Sequence, residues 1–409
     1  MRRVTTLSDS PPPPAQAPVP APAPGRAPWE SPILFDDKPA EWEYGYVARG
    51  GRRGCTRGEL LERVAASAPH VDLVWTPEAP ELVPPAEVTW LLDAVRSRTE
   101  RDLRYNLRNG LYLLVVSSLL AVVWGKKYPP PLLLVLVLML GAIPVAQPAF
   151  GLWRLRRRPL EYPREQASIF RYQVWLGTRR LVATTVLAAC LGIVAVAQLV
   201  VGLRSTTLGS AMGQTVRVAG LDKRAVAEGQ GWRLLTAELM HGHPLHLLLN
   251  LAALLAVGRL IEMHAHWLHV PTVFLFSALC ASAASYYSSG TLSVGASGGI
   301  MGMIGFLAVI GVRCRHLVPR GFLRSIAMSV ALTAATGLVA HQFIDNAAHA
   351  GGFVGGVLMG FAYVRRHGAA DEYRLTPSTL ARLAGAVSGL ALLAATAFTL
   401  YLLVAVARQ

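Results

Sequence analysis

The sequence predicts an all-α polytopic membrane protein that carries a small soluble α+β domain near its N-terminus. Three observations predict it. The 409 residues are 53% hydrophobic and only 15% charged, too apolar for a water-soluble globule. Runs of roughly 20 apolar residues, the length that crosses a bilayer as a helix, recur throughout the later part of the chain. Arginine concentrates in alternate loops between those runs, the asymmetry expected of membrane topology.

The chain opens on MRRVTTLSDSPPPP, two arginines with no apolar stretch behind them, so no signal peptide is expected. The Pro/Ala-rich remainder of residues 1–35 cannot assemble a core and is predicted to be a disordered tether. Residues 36–95 differ. EWEYGYVARGGRRG alternates enough for a hairpin with glycines at its turn, TRGELLERVAAS has helical spacing behind a Thr56 cap, and VDLVW reads as a strand. Tyr44, Tyr46, Gly54, Glu59, Leu60, Val74 and Trp75 follow the pattern of a small GYF-like domain, which this segment resembles. Cys55 and Leu82 stand where that pattern has proline and tryptophan. A small soluble adaptor of another kind is the alternative, and the domain's cytosolic partner is not identified by its residues.

Nine apolar runs follow, at 109–124, 130–152, 181–203, 244–262, 269–287, 295–312, 322–340, 348–364 and 382–407. The first is short, with Lys126 and Lys127 placed to snorkel beside it. The runs group into a transmembrane hairpin (108–153), a core (175–366) and an additional C-terminal transmembrane helix within 377–409. Loop 154–180 holds eight arginines and loops 313–324 and 365–382 hold four each, whereas 286–294 and 341–348 hold no Lys or Arg. That pattern puts the N-terminus in the cytoplasm and residues 205–242, 286–294 and 341–348 outside, as in a multi-pass protein of a bacterial inner membrane. The formal net charge of +15 therefore reflects topology and contact with membrane lipid, and nucleic-acid binding is set aside. The four cysteines have no metal-ligand spacing, and Cys190 and Cys280 lie within apolar runs, which argues against a disulfide framework.

The chemistry begins at SVGASGGIMGMIGF, where Ser297 sits among glycines at the head of an apolar run. A small residue there can serve helix packing alone. The soluble-hydrolase form of G-x-S-x-G requires a strand before the serine, which apolar spans on both sides exclude. His349, in DNAAHAGGFVGG, begins the second span after the serine's. Both spans run from outside to inside, so serine and histidine share one depth and one face, the condition for a nucleophile–base pair. His246 and Asn250, i and i+4 in HPLHLLLN, lie on one helical face at the outer end of their span. They read either as a buried hydrogen-bonded pair or as part of the same site. The cluster His241, His243 and His246 invites a metal, but H-E-x-x-H is missing and Glu238–His241 supplies only one E-x-x-H. No metal or other cofactor is expected.

Together these residues resemble the rhomboid family of intramembrane serine proteases. The resemblance rests on Trp232–Arg233, His246-x-x-x-Asn250, GRLIE (258–262), GASG around Ser297 and AHAGGFVGG around His349. It covers about residues 175–366 and implies a six-helix core, with 205–242 as the family's large first loop. It implies a catalytic dyad of Ser297 and His349, an oxyanion site made by His246, Asn250 and the Ser297 N–H, and single-pass transmembrane proteins as substrates. Met301 replaces a tyrosine that packs on the histidine in well-known members. Two other readings compete. A catalytically inactive rhomboid-like escort usually lacks the serine or the histidine, and both are present. A transporter would show internal repeats, and none is evident.

Overall fold

The computed structural model describes residue 29 and residues 41–48, 51–66, 73–126, 130–177, 181–203, 208–288, 292–364 and 377–407. It is an all-α polytopic membrane protein with one small antiparallel sheet at its N-terminal end. Within the segment read as a tether, the described residue is Trp29. It is buried, its ring 5.0 Å from Tyr172 and 5.8 Å from Trp175.

The sheet is built from β1 (Tyr44–Ala48), β2 (Gly51–Cys55), β3 (Leu73–Thr76) and β4 (Ala79–Val83), in the spatial order β2-β1-β3-β4. Helix α1 (Arg57–Ala65) starts in a capping box, with Thr56 and Glu59 each satisfying the other's free backbone N–H. Leu60, Val64, Val74 and Leu91 close the small core under it. Glu87, just past the sheet, takes a two-pronged ion pair from Arg171 (2.6 and 2.7 Å), which ties the soluble domain to the helix that enters the core.

Helix α2 (Leu92–Trp124) is a single 33-residue rod, so the short run at 109–124 is the apolar half of a helix that begins in the soluble domain. It returns as α3 (Pro130–Val137) and α4 (Ile143–Arg157), joined by a π-helical segment over Leu138–Ala142. Pro144 and Pro148 lie just beyond, and a wide turn relieves the carbonyls their rings would meet. Helix α5 (Glu161–Gly177) carries the arginine-rich connection to the core.

The core comprises α6 (Ala183–Gly202), α7 (Leu208–Ala219), α8 (Lys223–Ala227), α9 (Arg233–Thr236), α10 (Pro244–His264), α11 (His269–Ser288), α12 (Ser297–Arg313), α13 (Phe322–Val339) and α14 (Asn346–Tyr363). Helix α15 (Thr379–Ala407) packs outside it against α6 and α11. Among the described residues, seven helices are long and apolar enough to cross a membrane. Helix α12, with 17 residues, falls just short of that length, and α14 spends five of its 18 positions on glycine. Helix α12 is shielded from lipid by its neighbours, whereas α14 turns Val354, Leu358 and Phe361 outward. Elsewhere large apolar side chains point outward, as Val122, Leu338 and Leu390 do. Such a belt would aggregate in water and is what a bilayer solvates.

Two buried charges fix the core at the ends of α6 and α7. Glu262, at the end of α10, accepts the N–H of Val182 and of Thr184 and the Thr184 hydroxyl, all at 2.7–2.8 Å, and so caps α6. Arg233 donates to the carbonyls of Arg217 (3.1 Å) and Gly220 (2.8 Å) and to Gln230 (2.7 Å), with its guanidinium over the Trp232 ring. This is the physical work of the Trp-Arg pair. It folds residues 208–243 into a platform against which the serine loop is laid.

Candidate active site

The loop before Ser297 is held to that platform by backbone hydrogen bonds. Leu221 and Ser293 exchange hydrogen bonds (2.9 and 3.4 Å), and the Gly295 N–H donates to the Ala237 carbonyl (2.9 Å). Gly295 adopts φ +123°, a left-handed conformation that glycine takes without strain. A Cβ there would also lie 2.6 Å from the His246 ring. The chain then turns into α12 with Ser297 as its first residue, half-buried. The first N–H groups of a helix have no partner inside it, and they point where an anion would be welcome.

Helix α14 delivers the histidine. Asp345 caps it by accepting the Ala348 N–H (2.9 Å), and the Ser285 hydroxyl donates to the same carboxylate. Burial would raise the Asp345 carboxyl, but hydrogen bonds from Ser285, Ala348 and Ser293 outweigh it and hold it below its ordinary value. Asn346 donates to the Gly337 carbonyl (2.9 Å) and locks α14 to the end of α13. At the other end of α14, Arg313 donates to the Phe361 and Val364 carbonyls.

Between these ends α14 wedges against α11 and α12. A Cβ on Gly352 would strike the Gly298 carbonyl, and one on Gly356 the Gly302 carbonyl, so the two backbones touch. On the adjoining face Gly351 and Gly355 rest on Cys280 and Ser277 of α11. The glycines of α12 serve two neighbours: Gly305 faces Phe353 of α14, while Gly298 faces Ala281 of α11. This contact brings His349 Nε2 within 2.8 Å of Ser297 Oγ.

The remaining polar groups surround the serine loop. His246 and Asn250 of α10 both approach Gly295, with Asn250 buried and His246 half-buried. They are not bonded to each other among the described residues. Asn250 instead donates its amide to His241 Nε2 (3.0 Å). Burial pushes the His241 imidazole down to about 3, so it is neutral and can accept that bond. Gln198 of α6 holds the His241 backbone through two bonds of 3.0 Å, one accepting its N–H and one donating to its carbonyl. The third histidine of the cluster turns away, and His243 accepts the Leu245 N–H (3.1 Å) as the cap of α10.

Two of these residues escape a reading by motif. His241 is visible only as one of three clustered histidines, and its bond to Asn250 comes from the loop's path. Glu238 is visible only as half of an E-x-x-H. Its carboxyl is fully buried against the first turn of α12, accepting the Ser282 hydroxyl (3.3 Å) and the Gly299 N–H. Burial raises it to about 8, so it is protonated at neutral pH. Met301 is buried one turn along α12 from Ser297. A hydroxyl bonded to an imidazole, beside a helix N-terminus and an amide donor, can perform nucleophilic acyl transfer.

Comparison with known proteins covers the part of this core from α9 to α14. Residues 228–366 match the family model described as Rhomboid domain. RHOMBOID-like protein 5 of Arabidopsis thaliana is 27% identical over 170 residues, 39% of this chain and 52% of its own length. RHOMBOID-like protein 4 of the same plant is 32% identical over 36% of this chain and 38% of its own length. Rhomboid protease GluP of Bacillus subtilis (strain 168) is 31% identical over 36% of this chain and 29% of its own length. The chain thus spans about half or less of the length of these curated relatives.

Proposed function

We propose, from the match of residues 228–366 to the Rhomboid domain model and from the site geometry, that this chain is a rhomboid-type intramembrane serine endopeptidase acting through a Ser297–His349 dyad. The observation that carries the reading is the 2.8 Å hydrogen bond between Ser297 Oγ and His349 Nε2 at the heads of two touching helices. The relative named a rhomboid protease supports the same chemistry.

His349 takes the Ser297 proton at Nε2 as Oγ attacks the scissile carbonyl carbon. The carbonyl oxygen becomes an oxyanion, held by the Ser297 N–H, the Asn250 amide and His246. Collapse of this intermediate breaks the C–N bond, and His349 returns its proton to the leaving amine. Water, deprotonated by the same imidazole, then hydrolyses the acyl-serine. General-base catalysis supplies about 10²–10⁴-fold and each oxyanion donor about 10²–10³-fold. The imidazole needs no third acid if packing on α14 orients it.

The substrates are single-pass transmembrane proteins whose helix top unwinds into the site, with a small residue at the cleaved bond. The protein is multi-pass, and the basic loops lie in the cytoplasm with residues 36–95 as a cytosolic domain. The relatives include plant as well as bacterial proteins, so the expectation of a bacterial inner membrane narrows to an integral-membrane location. The test is labelling of the purified protein with a fluorophosphonate probe. Label on Ser297 that vanishes in His349→Ala is expected, and an unlabelled wild-type protein would leave an inactive client-binding relative as the better reading.

A further inference from the structure

A second opening lies at the end of the core opposite Ser297. A cavity of about 1840 Å³ separates the N-terminal hairpin from the core, between α4 and α5 on one side and α13 on the other. Core helices α10 and α12 line it with Ala256, Leu260, Ile304 and Leu307. Its rim is basic. Arg154 and Arg158 are matched by Glu165 and Glu161. Arg164, Arg320 and Arg324 also line the cavity and have no carboxylate partner among the described residues. Arg324 lies 5.4 Å over the Phe150 ring, so the rim is spanned from α13 to α4.

An apolar slot beneath an excess of arginine is complementary to one kind of molecule, an anionic amphiphile. Free phosphate would satisfy the rim and leave the slot unfilled. A neutral lipid would fill the slot and leave three cations unmatched. We infer that this cavity binds an anionic glycerophospholipid of the leaflet at the basic face. Its phosphate lies among Arg164, Arg320 and Arg324, and an acyl chain lies along Ala256, Leu260, Ile304 and Leu307. The lipid fills the gap between hairpin and core, and it bears on the two helices that carry Asn250 and Ser297 at their far ends. This goes beyond the proteolytic reading and does not depend on it.

The test is a thermal-shift titration of the purified full chain in detergent with phosphatidylglycerol, and with phosphatidylcholine of identical chains. Phosphatidylglycerol should raise the melting temperature saturably and phosphatidylcholine should not. Arg320→Gln with Arg324→Gln should weaken the phosphatidylglycerol response roughly thirtyfold. Ala256→Trp, which fills the slot and leaves every arginine, should abolish it. Arg382→Gln, in the first turn of α15 and outside the cavity lining, should leave it unchanged. Equal shifts by the two lipids, a full shift by inorganic phosphate, or a wild-type response in the double variant would each overturn the inference.

Discussion

Ser297 and His349 are 52 positions apart and share a 2.8 Å hydrogen bond, although nothing but helix packing brings them together. The other ring nitrogen, His349 Nδ1, is buried and has no partner among the described residues. Orientation of this imidazole therefore rests on α14 and on the serine itself. Ser297→Ala and His349→Ala should each cut cleavage of a model transmembrane substrate by at least about 10⁴-fold. Melting should move little in the serine variant. Near wild-type cleavage by either clean preparation would sink the dyad.

The donors should be graded. Asn250→Ala should slow turnover about 10²–10³-fold while probe labelling of Ser297 remains detectable. His246→Ala should act in the same direction. His241→Ala removes the acceptor that aims the Asn250 amide and should cost roughly tenfold. His241→Gln, which keeps an acceptor, should recover part of that loss. Full-rate turnover by Asn250→Ala would return this group to a structural role.

Close approach of α12 and α14 gives a packing prediction. Gly356→Leu meets the Gly302 backbone, which has no rotamer to yield, and should lower stability by about 1–3 kcal/mol or more. It should lose most activity with every polar site residue intact. Gly360→Leu meets the Val309 side chain, deeper along α14 and farther from the dyad, so it should cost stability more than rate. Wild-type melting of Gly356→Leu, measured in detergent, would show that the backbones do not meet there.

Glu238 sets a pH dependence. Its value is raised from 4.5 when unfolded to about 8 by burial. Its contribution to stability is thus complete below about pH 4.5 and is lost as pH rises through about 8. An ionised Glu238 would also oppose an oxyanion at the same helix turn. Glu238→Gln, a mimic of the protonated acid, should match wild type near pH 5 and outlast it in melting and activity near pH 9. Identical alkaline profiles would refute this account.

Topology can be read by labelling in a cysteine-free background. A cysteine at Tyr287, whose side chain is 85% exposed, should react with an impermeant maleimide from outside. One at Arg158 should react only after the membrane is opened. The reverse pattern would put the serine at the wrong face.

The spacing of Ser297 and His349 was legible because membrane spans reduce a three-dimensional problem to counting ends. Two residues that begin two spans of the same direction must share a depth. The His241–Asn250 bond was not legible, because it depends on how residues 208–243 fold back and on Gln198 reaching the loop from α6. Glu238 was hidden for a similar reason, since its burial comes from α11 and α12 closing over it. The glycines of AHAGGFVGG are plain in the sequence, but spacing alone could not divide them between α11 and α12. Trp29 lies in a composition that predicts no structure, and its docking depends on Tyr172 and Trp175, far along the chain.

The backbone contact at Gly352 and Gly356 also has a genetic consequence. Every missense change in a glycine codon adds at least one carbon, and at these two positions that carbon lands on a neighbouring carbonyl. In a screen for inactive alleles both codons should therefore behave as full targets, yielding the same phenotype as lesions in the Ser297 codon. Alleles of the two kinds would separate only by protein abundance: the serine lesions accumulate as intact protein, whereas the glycine lesions are cleared by quality control.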